Sequence, residues 1–151
     1  MKRALVIGYG NSLRADDGVG WHAAMRFASD ARFADVDVVA RQQLTPELAV
    51  DVASARAVVL VDARVDGGAP GSIGVNPVTP SGGSSKMSHH MDPSGLLGLA
   101  QELYGHAPSA WVVSVRGESF DGGEKLSSAA AAALPGVADE VARLLDEHPH
   151  A

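Results

Sequence analysis

Residues Ala57 to Val61 read AVVLV, five apolar residues with no polar alternation, ending on Asp62. A strand with one face in water alternates apolar and polar side chains, so an unbroken β-branched run requires cover on both faces. Ala4 to Gly8 (ALVIG) and Ala110 to Val115 (AWVVSV) have the same character. Three such runs, separated by segments of helical character, restrict the chain to a sheet sandwiched between helix layers.

The rest of the chain fits that frame. From Gly18 to about Ser29, Val19, Ala23 and Phe27 fall on one helical face, with Asp16 or Asp17 at the helix start. Val36 to Ala40 reads as a second strand. Thr45-Pro46-Glu47 reads as a helix start, with Thr45 as cap and Pro46 in the first turn, and the helix runs to about Ala53. Gly67 to Gly71 is a turn, and Ser72 to Val78 is an edge strand. Thr79 to Ser88 (TPSGGSSKMS) has the composition of a flexible loop, and a helix spans about Pro93 to Tyr104. The last helical region begins near Ser127, with Val137, Val141, Leu144 and Leu145 on one face and Pro135 as a kink or a fresh start. The expectation is an α/β fold of three α/β/α layers in one domain, 1–151, with a mostly parallel, twisted sheet of about five strands. In such sheets ligands bind beyond the strand ends where strand order reverses, which directs attention to the loops after Gly8, Val61 and Val115.

Composition removes several kinds of chemistry. The absence of cysteine excludes disulfides, a thiol nucleophile, a zinc–thiolate site and an iron–sulfur cluster. A net charge of -6, with no dense Lys/Arg cluster, suits nucleic acid poorly. No apolar run approaches a membrane span, and MKRALVIGYG is unlike a signal peptide, so the expected address is cytoplasmic.

Three places could carry chemistry. Gly8-Tyr9-Gly10-Asn11 is followed by Asp16, Asp17 and Gly18. A dinucleotide fingerprint would need a third glycine at position 13, where Leu13 stands, and acids do not suit a pyrophosphate. The plain reading is a tight turn with helix-capping acids. Asp62 ends a buried run and is either a site residue or a loop carboxylate paired with Arg64. In Ser88-His89-His90 the two imidazoles point apart, so at most one faces a given site. Two carboxylates and an imidazole that converged would form a ligand set for nickel or zinc, or a group that activates water.

The opening segment ALVIGYGNSLRADDGVG resembles the N-terminal motif of the hydrogenase maturation proteases, roughly G-x-G-N-x-x-x-x-D-[DE]-G-x-G. Gly8, Gly10, Asn11, Asp16, Asp17, Gly18 and Gly20 fill every fixed position. Asp62 in VLVDA, a histidine ahead of an apolar helix in SHHMDPSGLLGLA, and Val115-Arg116-Gly117-Glu118-Ser119 continue the likeness in order along nearly the whole chain. The resemblance implies an aspartic-type endopeptidase that removes the C-terminal extension of a nickel-loaded [NiFe]-hydrogenase large-subunit precursor. It implies that Asp17, Asp62 and a histidine bind the nickel carried by that substrate, with no tightly bound cofactor and room for a divalent metal. Asp17 stands where the family often has Glu. The helix register, with Met91 and Leu96-Leu97 in the apolar slots, selects His89; a Ser-x-His alignment selects His90. Gly8, Gly10, Asn11, Asp16 and Gly18 would form the structural turn of the site. Peptidyl-tRNA hydrolases share a GxGN-like turn but continue with a local catalytic histidine, where this chain has Arg14-Ala15-Asp16-Asp17. Two other readings remain at this point: a metal- or acid/base-dependent hydrolase of another substrate, and a nickel- or nucleotide-binding module without catalysis. The expected partner is the large-subunit precursor, with neither nucleic acid nor membrane.

Overall fold

A computed structural model describes residues 2–81 and 91–148. Five strands and four helices follow one another as β1 Leu5–Tyr9, α1 Val19–Phe27, β2 Asp37–Arg41, α2 Ala49–Ser54, β3 Ala57–Arg64, β4 Ile73–Val78, α3 Pro93–Tyr104, β5 Ser109–Arg116 and α4 Ser128–Glu147. They build one sheet in the order β2-β1-β3-β5-β4, parallel except for β4, which runs antiparallel to β5 at the edge. Chain order reverses between β1 and β3: β1 leads to β2 on one side, and β3 joins it on the other.

The apolar runs are explained by cover on both faces. Val6, Val59, Val61 and Val113 pack under α1 and α4 with Val19, Phe27, Val137 and Val141. Leu5, Ile7, Val58 and Leu60 pack on the opposite side with α2 and α3, against Leu48, Val52, Leu96 and Leu97. Alternate residues of one strand thus feed two cores, and each fully buried Val or Leu contributes ~1.5–3 kcal/mol. No helix among the described residues is long and apolar enough to cross a membrane.

Several expectations are corrected. β3 continues two residues past Asp62, because its last three residues keep pairing with β5 after β1 has ended. Neither Asp16 nor Asp17 caps α1: Gly18 holds that position without a side-chain bond, and both carboxylates are engaged elsewhere. Thr45 makes no cap bond either; its segment opens as a short 3-10 turn before α2. Pro135 neither breaks nor restarts α4, which is a single helix with the proline inside it. Of the loop expected over Thr79 to Ser88, residues from 82 onward lie outside the described residues, as do His89 and His90.

Candidate active site at the strand ends

The opening motif folds back on itself. Gly10 has φ +147°, and a Cβ there would lie 1.9 Å from the Asp17 carbonyl oxygen. Only glycine lets the chain pass so close to residue 17. Gly20 does the same one helical turn later, since a Cβ would meet the Val61 carbonyl oxygen at 2.1 Å. α1 is thereby pressed against the ends of β1 and β3, which fixes the distance between the first loop and Asp62.

The two acids of the motif have separate duties. Asp16 is fully buried. It accepts from the backbone N–H groups of Glu118 (2.8 Å), Ser119 (3.1 Å) and Ser127 (2.8 Å), and from the Ser127 hydroxyl (2.6 Å). Burial pushes its carboxyl up, but these four bonds outweigh burial and hold it below the ordinary carboxylate range. Asp16 is a structural tie between the first loop and the start of α4, where Ser127 also caps the helix. Asp17 faces the other way. Its Oδ2 accepts from the Asn11 N–H at 3.0 Å, which holds its carboxylate beside the cleft.

That cleft, of about 280 Å³, is lined by Tyr9, Gly10, Asp17, Gln42, Gln43, Leu44, Asp62 and Met91. The Tyr9 hydroxyl donates to Asp62 Oδ2 at 2.9 Å, and the Ala63 N–H donates to Asp62 Oδ1 at 2.7 Å. Burial raises the Asp62 carboxyl to about 6, the nearby Asp17 charge adds to the rise, and the two hydrogen bonds oppose it. Burial, reinforced by Asp62, also pushes the Tyr9 phenol far up, so it stays protonated and serves as a fixed donor. Arg64 does not pair with Asp62; its guanidinium is spent on Ser114, Ser72 and the Gly67 carbonyl. A carboxylate oxygen has two lone pairs, so both acids keep acceptor capacity toward the cleft. Two oxygen-donor groups fit a divalent ion, and an imidazole would complete a borderline-metal set. A larger recess of about 600 Å³ lies at the opposite end of the sheet, but its Arg3 and Asp37 are closed on each other at 2.8 Å.

The structure therefore brings Asp17 and Asp62 to one cleft and assigns Asp16 to the scaffold. Tyr9, Gln42 and Gln43 line the cleft although nothing in the sequence singled them out for a role. Tyr9 fills the variable position of the glycine turn. Gln42 and Gln43 follow the edge strand β2, and only their place after a strand next to the reversal of order could have marked them.

No family model matches the sequence, and no curated protein matches it. Solved structures do match. The hydrogenase maturating endopeptidase HybD from E. coli superposes with a TM-score of 0.75 at 22% identity, covering 96% of this chain and 93% of that one. The fold is that of the hydrogenase maturation endopeptidases. A hydrogenase 2 maturation peptidase from a Thaumarchaeota archaeon gives 0.73 at 25% identity, covering 96% of this chain and 99% of that one. The [NiFe] hydrogenase maturation protease HycI from Thermococcus kodakarensis gives 0.75 at 21% identity over 96% and 93%. In this chain the maturation-endopeptidase fold places the GxGN turn, Asp17 and Asp62 on one cleft at the reversal of strand order.

Proposed function

We propose that this chain is an endopeptidase that removes the C-terminal extension of a nickel-loaded [NiFe]-hydrogenase large-subunit precursor. The observation that carries the reading is the shared cleft of Asp17 and Asp62, in a fold whose solved relatives are named as proteases of hydrogenase maturation. Nickel is part of the substrate. Asp17, Asp62 and one histidine would supply oxygen and nitrogen donors to it as the precursor docks, so that only a loaded precursor is seated for cleavage. The cleft wall at Met91 adjoins His90 in sequence, one residue from His89. In the metal-free protein Asp62 is protonated more readily than an ordinary carboxylate, so seating it on the nickel of an arriving precursor would release that proton.

The test is direct. Purified protein, mixed with nickel-loaded and nickel-free precursor, is expected to shorten only the loaded form, read by mass spectrometry of the large subunit. Cleavage of neither form would overturn the function. His89→Ala is expected to abolish processing and His90→Ala to leave most of it, since adjacent side chains diverge and one imidazole cannot replace the other. The reverse pattern would move the ligand to His90. Indifference to both changes would remove the imidazole from the site.

A further inference from the structure

The sheet has two free edges, β2 and β4, and they are not alike. Alternate residues of a strand turn their N–H and C=O groups to the same side. On β4 the Ser72 carbonyl accepts from the Arg116 N–H, so Ile73, Val75 and Pro77 are the residues whose backbone faces outward. A proline at an outward position removes a donor, and that edge resists an added strand. On β2 the Asp37 N–H donates to the Ala4 carbonyl at 3.0 Å, and the Arg41 carbonyl accepts from the Gly10 N–H at 3.1 Å. Asp37, Val39 and Arg41 therefore serve β1, and Val38 and Ala40 turn their backbone groups outward. The Ala40 carbonyl accepts from Arg41 Nη1 at 3.0 Å. The Val38 N–H, the Val38 carbonyl and the Ala40 N–H have no partner among the described residues.

This open edge joins two hollows. At its C-terminal end the chain passes from β2 through Gln42, Gln43 and Leu44, which form one wall of the cleft with Asp17 and Asp62. Toward its N-terminal end Asp37 and Val39 line the recess of about 600 Å³, together with Asp51 and Ser54 of α2. The helix layers stop short of this edge: Val38, Val39 and Ala40 are only half-buried, whereas Leu5 to Gly8 of the neighbouring β1 are buried. A polypeptide leaving the cleft on this side thus meets unpaired backbone and half-covered valines, with an open recess further on. A second copy of this chain pairing edge to edge would make no use of the cleft.

We propose that β2 receives the C-terminal extension of the large-subunit precursor as an added strand, a placement that rests on the proteolytic reading. The extension follows the scissile bond, so its chain runs away from the cleft. β2 runs toward the cleft, so the pairing is antiparallel. Asp62 stands on β3, and the added strand lies three strand spacings further out, about 14 Å at about 4.8 Å each. About four extended residues cover that distance. The residues beyond them reach Ala40 first and Val38 next, each as a doubly bonded pair, and Arg41 gives up the Ala40 carbonyl as its pair forms. Main-chain bonds supply the grip, and every second side chain of the extension faces the recess beside Val39.

The experiment pairs a change in the edge with a change in the substrate, using the full chain and nickel-loaded precursor. Ala40→Pro deletes an outward donor and leaves the bonds to β1, which belong to Val39 and Arg41. It is expected to raise KM about three- to tenfold, with the loss in KM rather than kcat. A precursor whose extension is trimmed to about four residues should raise the wild-type KM by at least as much, and Ala40→Pro should then add nothing. Independent, additive effects of the two changes would overturn the added strand and leave the protease standing. Amide hydrogen exchange on wild type needs no variant to fold and no cleavage to occur. Saturating precursor should slow the Val38 and Ala40 amides by about tenfold or more. Unchanged exchange would overturn the proposal, and slowing without any cleavage would keep the edge while overturning the proteolytic reading. Slow exchange in the protein alone, deepening with its concentration, would give the edge to a second copy of this chain and overturn the proposal.

Discussion

Asp62 is caught between burial, which favours its neutral form, and two hydrogen-bond donors, which favour the charge. The folded protein therefore keeps a proton on it from about pH 4 to about 6, where the unfolded chain releases it. Stability falls as pH rises through that window and levels off above it. A rise from 3.8 to about 6 corresponds to at most about 3 kcal/mol, so metal-free Asp62→Asn should lack this slope and exceed wild type in urea midpoint above pH 6. A wild-type midpoint that climbed between pH 4 and 6 by the same amount as the mutant's would contradict the assignment. Tyr9 acts on the same carboxylate. Tyr9→Phe removes the donor that lowers the Asp62 carboxyl, so the acid limb of the cleavage rate should move to higher pH, with efficiency lower by about tenfold. An unmoved limb would mean that the hydroxyl is only packing. Asp16 carries the opposite sign. Its carboxyl is held low, so its contribution is complete above the ordinary Asp value and disappears as pH falls through its depressed one. Asp16→Ala strands three N–H groups and a hydroxyl, and should cost ~2–4 kcal/mol in denaturant titration. A cost under about 1 kcal/mol, no more than a single ordinary hydrogen bond, would show that the tie is dispensable.

The elements were legible in the sequence wherever burial on two faces left a continuous apolar run. ALVIG and AVVLV fit strands covered on both faces, and they supply most of β1 and the first part of β3. The helix expected over about Pro93 to Tyr104 is α3, with Pro93 in its first turn and Gly105 closing it at φ +73°. Capping at the first loop was not legible. An acid at a helix start reads as a cap, and no local pattern reveals that its true partners lie more than a hundred residues away. For the same reason the sequence could name Asp17 and Asp62 but not Tyr9, whose role exists only because β1 and β3 are neighbours. Pro135 was ambiguous because a proline removes one bond and yet a well-packed helix can tolerate the loss. Here Val137 and Val141 continue the buried face of Ala133 and Leu134 straight through it. The proline itself is exposed, so Pro135→Ala should restore the missing bond and raise stability by ~1–3 kcal/mol, read as a higher Tm. A lower Tm would mean that the backbone restriction supplied by the proline is worth more than the missing bond.

Across the whole molecule, the cleft is assembled from the ends of β1 and β3, the loops that follow β1 and β2, and the entry to α3. The tie through Asp16 adds a dependence in time. Asp17 owes its place to a loop whose neighbouring residue is anchored on Glu118, Ser119 and Ser127. A ribosome adds roughly 5–20 residues per second, so Ser127 is joined to the chain on the order of 5–20 s after Asp17. Throughout that interval the first two strands and their helix can exist, but the acid loop has nothing to fasten to. The nascent polypeptide therefore carries its cleft carboxylates long before it can aim them. The first loop is fastened only when the segment that begins the last helix supplies the donors that Asp16 has been waiting for.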